Sequence, residues 1–184
     1  MNRAIFLDRD DTIIDDPGYL ADPSGIVLLD GVDEAIKAFR RAGYLVIVIT
    51  NQAGIAKGFL TEETLGEVHA ELKKQLADRD AAIDAIYYCP HHPEGVIPEY
   101  AIACDTRKPM PGMLIQAADD MDVDLKQSWM IGDRNSDIGA GHNAGCRTIR
   151  VANMKFVPKP DDLKADFDAS DVLAASKIVL EQDV

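Results

Sequence analysis

The chain has no uninterrupted apolar run approaching the ~20 residues that a bilayer-spanning helix needs. Its opening residues, Met1-Asn-Arg-Ala-Ile-Phe-Leu-Asp8, lack the basic, apolar and small-residue zones of a signal peptide, so a cytosolic protein is expected. Cysteine is scarce: three in 184 residues, an odd number with no secretory signal, which argues against a disulfide framework. Positive charge is short as well, with 19 Lys and Arg against 32 Asp and Glu and a formal net charge of −13. That balance argues against a nucleic-acid backbone or an anionic membrane surface as the main partner. An anionic substrate would then need local Lys, Arg or a divalent cation to reverse the field at its site. Internal repeats, low-complexity stretches and obvious linkers are also absent. What remains is one domain, 1–184, long enough for a substantial core, with apolar residues at 47% and charged residues at 28%.

What is present begins with Arg3-Ala-Ile-Phe-Leu-Asp-Arg-Asp-Asp-Thr12, a short apolar run that ends abruptly in carboxylates. Ile5 to Leu7 read as a strand buried on both faces, so Asp8 and Asp10 lie where the strand leaves the sheet. Residues two apart on extended backbone face the same way, which lets both carboxylates converge on one metal ion or one substrate atom. In so acidic a chain a D-x-D spacing also arises by chance, and the pair alone decides nothing.

Further strands and helices follow in alternation. Gly31 to Ala42 carries the helical stripe Val32, Ala35, Ile36, Phe39, with Gly43 as its C-cap. Tyr44 to Thr50 is a second central strand, and Thr61 caps a helix bearing Leu65, Val68, Leu72 and Leu76. Ile83 to Tyr88 is a third strand, Cys89 to Lys108 a long loop with three prolines, and Pro111 opens a helix through Met121. Trp129 to Ile131 and Thr148 to Ala152 are strands flanking a short helix that ends near Gly145, and Ser170 caps a last helix. This order predicts an α/β fold: a mostly parallel central sheet with helices on both faces.

Four groups stand at the ends of apolar runs: Asp8 with Asp10, Thr50, Lys108, and Asp133 with Asp137. Parallel strands would bring all of them to one rim. The chemistry they fit is phosphoryl transfer. Carboxylates hold Mg²⁺, the ion screens phosphate charge so that a further carboxylate can attack phosphorus, and a hydroxyl and an ammonium hold the equatorial oxygens.

The motifs D-R-D-D-T, V-I-T-N-Q, R-K-P and I-G-D-R-N-S-D, in this order, resemble the four signatures of haloacid dehalogenase (HAD) superfamily phosphatases. More narrowly, D-P-G-Y, T-N-Q-A-G-I-A-K-G, I-Y-Y-C-P-H-H-P and C-D-T-R-K-P-M-P-G-M resemble the heptose-bisphosphate phosphatases and, less closely, the histidinol-phosphate phosphatases. The resemblance spans about residues 4 to 152. It implies a Rossmann-like HAD fold and an aspartyl-phosphate mechanism. Asp8 falls on the nucleophile, Asp10 on the acid/base, Thr50 and Lys108 on the groups that stabilise the phosphoryl oxygens. Asp8, Asp133 and Asp10, the last through its carbonyl, fall on the Mg²⁺ ligands, and Asp137 on a supporting role. Arg107 matches a substrate-recognition residue, while Asp16, Gly18, Tyr19, Asn51, Gln52, Ala53 and Arg134 match positions at the substrate pocket.

The chain departs from that pattern twice. Asp11 stands where the family has Gly, losing backbone freedom and adding charge near the metal. In the loop, the resemblance implies a structural zinc held by Cys-x-His and Cys-x-Cys. Here Cys89, His91 and Cys104 remain, but Thr106 replaces the fourth ligand, leaving zinc open, with Asp105, His92 or water to complete a tetrahedron.

Several other residues take ordinary readings: Cys146 and Trp129 as core, His69 and His142 as helix-surface residues, Asp119 to Asp124 as a solvated helix end. Lys57 is open between a surface lysine and one that attracts phosphate. The segments after Asp10 and after Thr50 leave no room for a cap domain. An open, capless site is therefore expected, its specificity resting on loops, chiefly the inserted loop 89–107. The resemblance implies a small sugar bisphosphate as substrate, the 7-phosphate being removed, and the chain is expected to be a monomer. Histidinol phosphate or another small ester is the alternative within the class, and a receiver-type phosphate-accepting module the alternative outside it.

Overall fold

Side chains that alternate between two apolar clusters along the first strands set the layers. In β1 (Arg3–Leu7), Ile5 and Leu7 pack into one apolar cluster, and Ala4 and Phe6 into a second. β2 (Tyr44–Asn51) repeats the pattern, Val46 and Val48 joining the first cluster, Ile47 and Ile49 the other. Both faces are therefore covered, as continuous apolar strands require. α1 (Val32–Arg41), α3 (Glu62–Ala77) and α6 (Val172–Glu181) supply the first face through Phe39, Leu72 and Val179 among others. α4 (Gly112–Met121) and α5 (Asn135–Ala144) supply the second through Met113, Leu114, Ala117 and Ala140.

The remaining strands are β3 (Ala85–Cys89), β4 (Trp129–Gly132), β5 (Arg147–Val151) and β6 (Phe167–Ala169). In the computed structural model, which describes residues 1–156 and 158–183, the sheet order is β3-β2-β1-β4-β5-β6 with every pair parallel. The expected α/β architecture is present. Connections reverse direction across β1, which pairs with β2 on one side and β4 on the other. At such a switch point the crevice beyond the carboxyl ends is open for a ligand. A receiver-type module winds its strands 2-1-3-4-5, so this order argues against that alternative.

Differences from the sequence reading are local. The last helix is capped by Asp171, whose Oδ1 accepts from the Ala174 amide at 2.7 Å; Ser170 only donates to the Asp171 carboxylate. Pro111 sits at the N-cap of α4 and not inside its first turn. α2 (Ala53–Ala56) and β6 were not foreseen, being four and three residues long, too short to show a period. His69 is buried, not at the surface, because it lies on the Leu65, Val68, Leu72 stripe of α3. His142 is exposed, and Trp129 and Cys146 are core as expected.

Candidate active site

β1 ends at Leu7, and the next residue, Asp8, still donates its amide to the Ile131 carbonyl of β4 at 2.9 Å, which fixes it at the crevice. Lys108 reaches it from the β3–α4 loop. The ammonium donates to Asp8 Oδ1 at 2.7 Å and to the Ile49 carbonyl at 2.8 Å, and lies 2.6 Å from Asp137 Oδ1. Burial lowers the proton affinity of this ammonium, but Asp137 and Asp8 outweigh it and hold the pKa above its ordinary value. Burial pushes the Asp8 carboxyl well above the carboxylate range, and the charge of Asp137 adds to this; Lys108 pulls it part of the way back.

Asp133 follows β4 and faces Asp8. The ligand oxygens of Asp8, Asp133 and Asp137 lie within 4.8 Å of one another, all three residues buried. Asp133 Oδ2 accepts from Asn153 Nδ2 at 2.7 Å, while its Oδ1 is buried with no partner. Burial raises the Asp133 carboxyl as well. Lys108 bridges Asp8 and Asp137, and Asp133 has only the half-exposed Arg134 guanidinium, 3.5 Å from its Oδ2, so the three carboxylates carry more negative charge than their neighbours offset, which buried sites do not normally tolerate.

Asp10 is turned differently. Arg9 Nε donates to its Oδ1 at 2.7 Å, and Gln52 Nε2 to its Oδ2 at 2.9 Å. The same Gln52 nitrogen lies 2.8 Å from Thr50 Oγ1, which is fully buried at the end of β2. The Asp10 carboxylate is thus outside the three-carboxylate cluster.

A cavity of about 340 Å³ opens above these groups. Asp8, Asp10, Lys108 and Asp137 line it, as do all eight expected pocket residues: Asp16, Gly18, Tyr19, Asn51, Gln52, Ala53, Arg107 and Arg134. Thr50 and Asp133 are not among the residues that line it. At the mouth, Tyr19 stacks on Phe59 with ring centroids 4.6 Å apart, and Lys57 donates to the Tyr19 hydroxyl at 2.9 Å. Lys57 is thus held at the rim by Tyr19 and is not among the residues that line the cavity.

The chain is 46% identical over 165 residues to a D-glycero-β-D-manno-heptose-1,7-bisphosphate 7-phosphatase of Salmonella typhi, spanning 89% of this chain and 88% of that protein. It is 40% identical to the protein of the same name from Escherichia coli K12, over 86% and 84% of the two chains. This chain belongs to the heptose-bisphosphate phosphatase family. A HAD-hydrolase-like family model matches residues 105–176. The crystal structure of a D,D-heptose 1,7-bisphosphate phosphatase from B. bronchiseptica, complexed with magnesium and phosphate, superposes with a TM-score of 0.85 at 30% identity, covering 98% and 99% of the chains. One from Burkholderia thailandensis gives 0.71 at 25% identity, covering 97% and 98%.

Within this heptose-bisphosphate phosphatase fold the carboxylate cluster fits a hard divalent cation. Its unpartnered Asp133 oxygen and its excess negative charge are what such an ion would satisfy. The loop cluster is a different donor set. Cys89 Sγ is 3.8 Å from His91 Nδ1, and with Cys104 Sγ all three donors lie within 4.8 Å of one another, a combination suited to zinc. Thr106 Oγ1 stands 3.0 Å from Cys104 Sγ, so a neutral hydroxyl sits where the fourth ligand belongs. Asp105 and His92 are outside the cluster; His92 Nδ1 is taken by the Glu94 amide at 3.1 Å.

Several residues near this heptose-bisphosphate phosphatase site were missed in the sequence, Gly54 in the cavity lining among them. Arg9, buried at 1% exposure, was passed over because alternation sends it away from Asp8 and Asp10, yet it lines the cavity and grips Asp10. Ser136 lines the cavity from the first turn of α5. Asn153 reaches Asp133 from beyond β5, where only its position at a strand's carboxyl end gave a signal.

Proposed function

We propose that the chain removes the 7-phosphate of D-glycero-β-D-manno-heptose 1,7-bisphosphate and retains the 1-phosphate. The observation that carries this reading is the Asp8–Lys108 pair facing the unpartnered Asp133 oxygen at the carboxyl ends of adjacent strands, within a chain so similar to named phosphatases.

Asp8 is the nucleophile, its free carboxylate oxygen attacking phosphorus while Lys108 holds the other. Asp10 protonates the departing sugar oxygen and then takes a proton from the water that hydrolyses the aspartyl-phosphate. Arg9 and Gln52 fix its carboxylate for that exchange. Thr50 and Lys108 stabilise the phosphoryl oxygens, and Asp137 anchors the ammonium that does so. Asp8, Asp133 and the Asp10 carbonyl would hold Mg²⁺, which screens phosphate charge when bound. Arg107, Arg134 and the Asp16–Tyr19 and Asn51–Ala53 segments hold the substrate. Zinc on Cys89, His91 and Cys104 would order the specificity loop 89–107 of a single capless domain. The free thiols of Cys89, Cys104 and Cys146 suit a reducing, cytosolic compartment, and one chain carries the whole site, consistent with a monomer.

Phosphate release across heptose bisphosphate, other sugar bisphosphates and histidinol phosphate, with Mg²⁺ and with chelator, tests the reading. Mg²⁺-dependent preference for heptose 1,7-bisphosphate is expected. Preference for histidinol phosphate would replace the substrate, and no turnover of any ester would remove the function.

A further inference from the structure

Asp11 is buried beside the cavity at φ +58°, in the left-handed region that residues with side chains seldom adopt. Its Oδ1 accepts from the Asp16 amide at 3.1 Å and from Lys155 Nζ at 2.7 Å. Lys155 spends its other donors on the same loop, on Asp15 Oδ1 at 2.9 Å and the Asp16 carbonyl at 2.8 Å. Arg134 Nη2 is 3.7 Å from Asp11 Oδ2, beyond hydrogen-bond range, so Lys155 is the direct counter-charge. Lys155 is itself oriented: Asn153, which holds Asp133, accepts from the Lys155 amide at 2.7 Å. The segment after β5 thus clamps a loop whose Asp16, Gly18 and Tyr19 line the cavity.

We propose that Lys155 is a positioning residue for substrate binding: it neutralises Asp11 and holds the Asp11–Tyr19 loop in its substrate-lining conformation. The proposal rests on the phosphatase reading above. Lys155 does not touch Asp8, Lys108 or Asp10, so its influence falls on binding and not on the chemical step. Without it, a buried carboxylate is left beside an anionic substrate with only the Asp16 amide and an Arg134 guanidinium 3.7 Å away, in a left-handed backbone conformation that glycine adopts freely.

Three variants of the full chain test this by their KM and kcat for the preferred phosphate ester. Lys155→Met should raise KM about tenfold, equivalent to ~1.4 kcal/mol, with kcat within about twofold. Lys155→Arg should restore KM to within about threefold, since the charge and donors return. Asp11→Gly combined with Lys155→Met should recover part of the KM, the share owed to the unneutralised charge, because glycine adopts positive φ freely and carries no charge, while the bonds of Lys155 to Asp15 and to the Asp16 carbonyl stay lost. Unchanged KM in Lys155→Met, a fall in kcat alone, or a double variant as poor as Lys155→Met would each overturn the proposal. A wild-type chain that turns over no phosphate ester would instead overturn the reading beneath it, and the proposal with it.

Discussion

Asn51 grips the backbone of Lys108 from both sides: its Oδ1 accepts from the Lys108 amide at 3.0 Å and its Nδ2 donates to the Lys108 carbonyl at 3.1 Å. The end of β2 is thereby stitched to the loop that delivers the ammonium to Asp8. Asn51→Ala removes both bonds and leaves part of the Lys108 backbone unpaired. A fall in kcat of about 100-fold is expected from misplacement of the ammonium by about 1 Å, with a stability loss of ~1–3 kcal/mol. Steady-state kinetics beside thermal melting checks this; wild-type kcat would show that Lys108 is placed without Asn51.

Lys108 is the only cation in contact with both Asp8 and Asp137 among the described residues. Lys108→Met leaves the buried carboxylates without it. Loss of about 100- to 1000-fold in kcat is expected, as when a donor to a developing anion is removed. The melting temperature should fall and should respond to Mg²⁺ more strongly than in wild type, because the ion becomes the remaining compensation. A variant with wild-type melting with and without Mg²⁺ would contradict this charge accounting.

His69 gives a pH dependence with a definite sign. Burial, helped by the Arg9 guanidinium 3.2 Å from its Nε2, lowers its pKa from 6.5 to about 3. Between those values the unfolded chain binds a proton that the folded chain does not, so stability falls as pH drops below about 6.5. The loss at about pH 5 is ~2 kcal/mol. His69→Gln keeps an acceptor for Arg9 but has no proton to bind, so its melting curve from about pH 7 to 5 should be flatter than that of wild type. Parallel curves would contradict a buried neutral imidazole.

The same histidine shows where sequence and structure part. The core stripe of α3 is wide enough to include the position four residues after Leu65, but a polar residue there is indistinguishable from a surface one until its neighbours are known. Asp8, Thr50 and Asp133 were legible because each interrupts or ends an apolar run, and a parallel sheet turns such endings into one rim. Lys108 was read as ending an apolar run, but it comes from within the long β3–α4 connection, where its motif, like those of the pocket loops, was the sound signal. Lys155 was silent, and Asn153 signalled only by its place at a strand's carboxyl end: their importance comes from touching Asp11, 144 residues away, and Asp133, 20 residues away. The substitution of Asp11 for a family glycine, which had no full account in the sequence, acquires one in that contact.

With Thr106 in the loop, the cluster of Cys89, His91 and Cys104 offers three metal ligands. Zinc bound by Cys89, His91 and Cys104 should therefore leave more readily to a coloured chelator than zinc bound by four ligands. Thr106→Cys should slow that release at least about tenfold, equivalent to ~1.4 kcal/mol or more. Equal rates in the two proteins would show that position 106 does not face the metal.

Asp8→Asn tests whether Asp8 is the nucleophile. Asparagine keeps the shape and a bond to Lys108 through its carbonyl oxygen but cannot attack phosphorus. Phosphate release from heptose 1,7-bisphosphate with Mg²⁺, measured on wild type and Asp8→Asn of equal thermal stability, should show turnover in the first and none above background in the second. Undiminished turnover in Asp8→Asn would contradict the account.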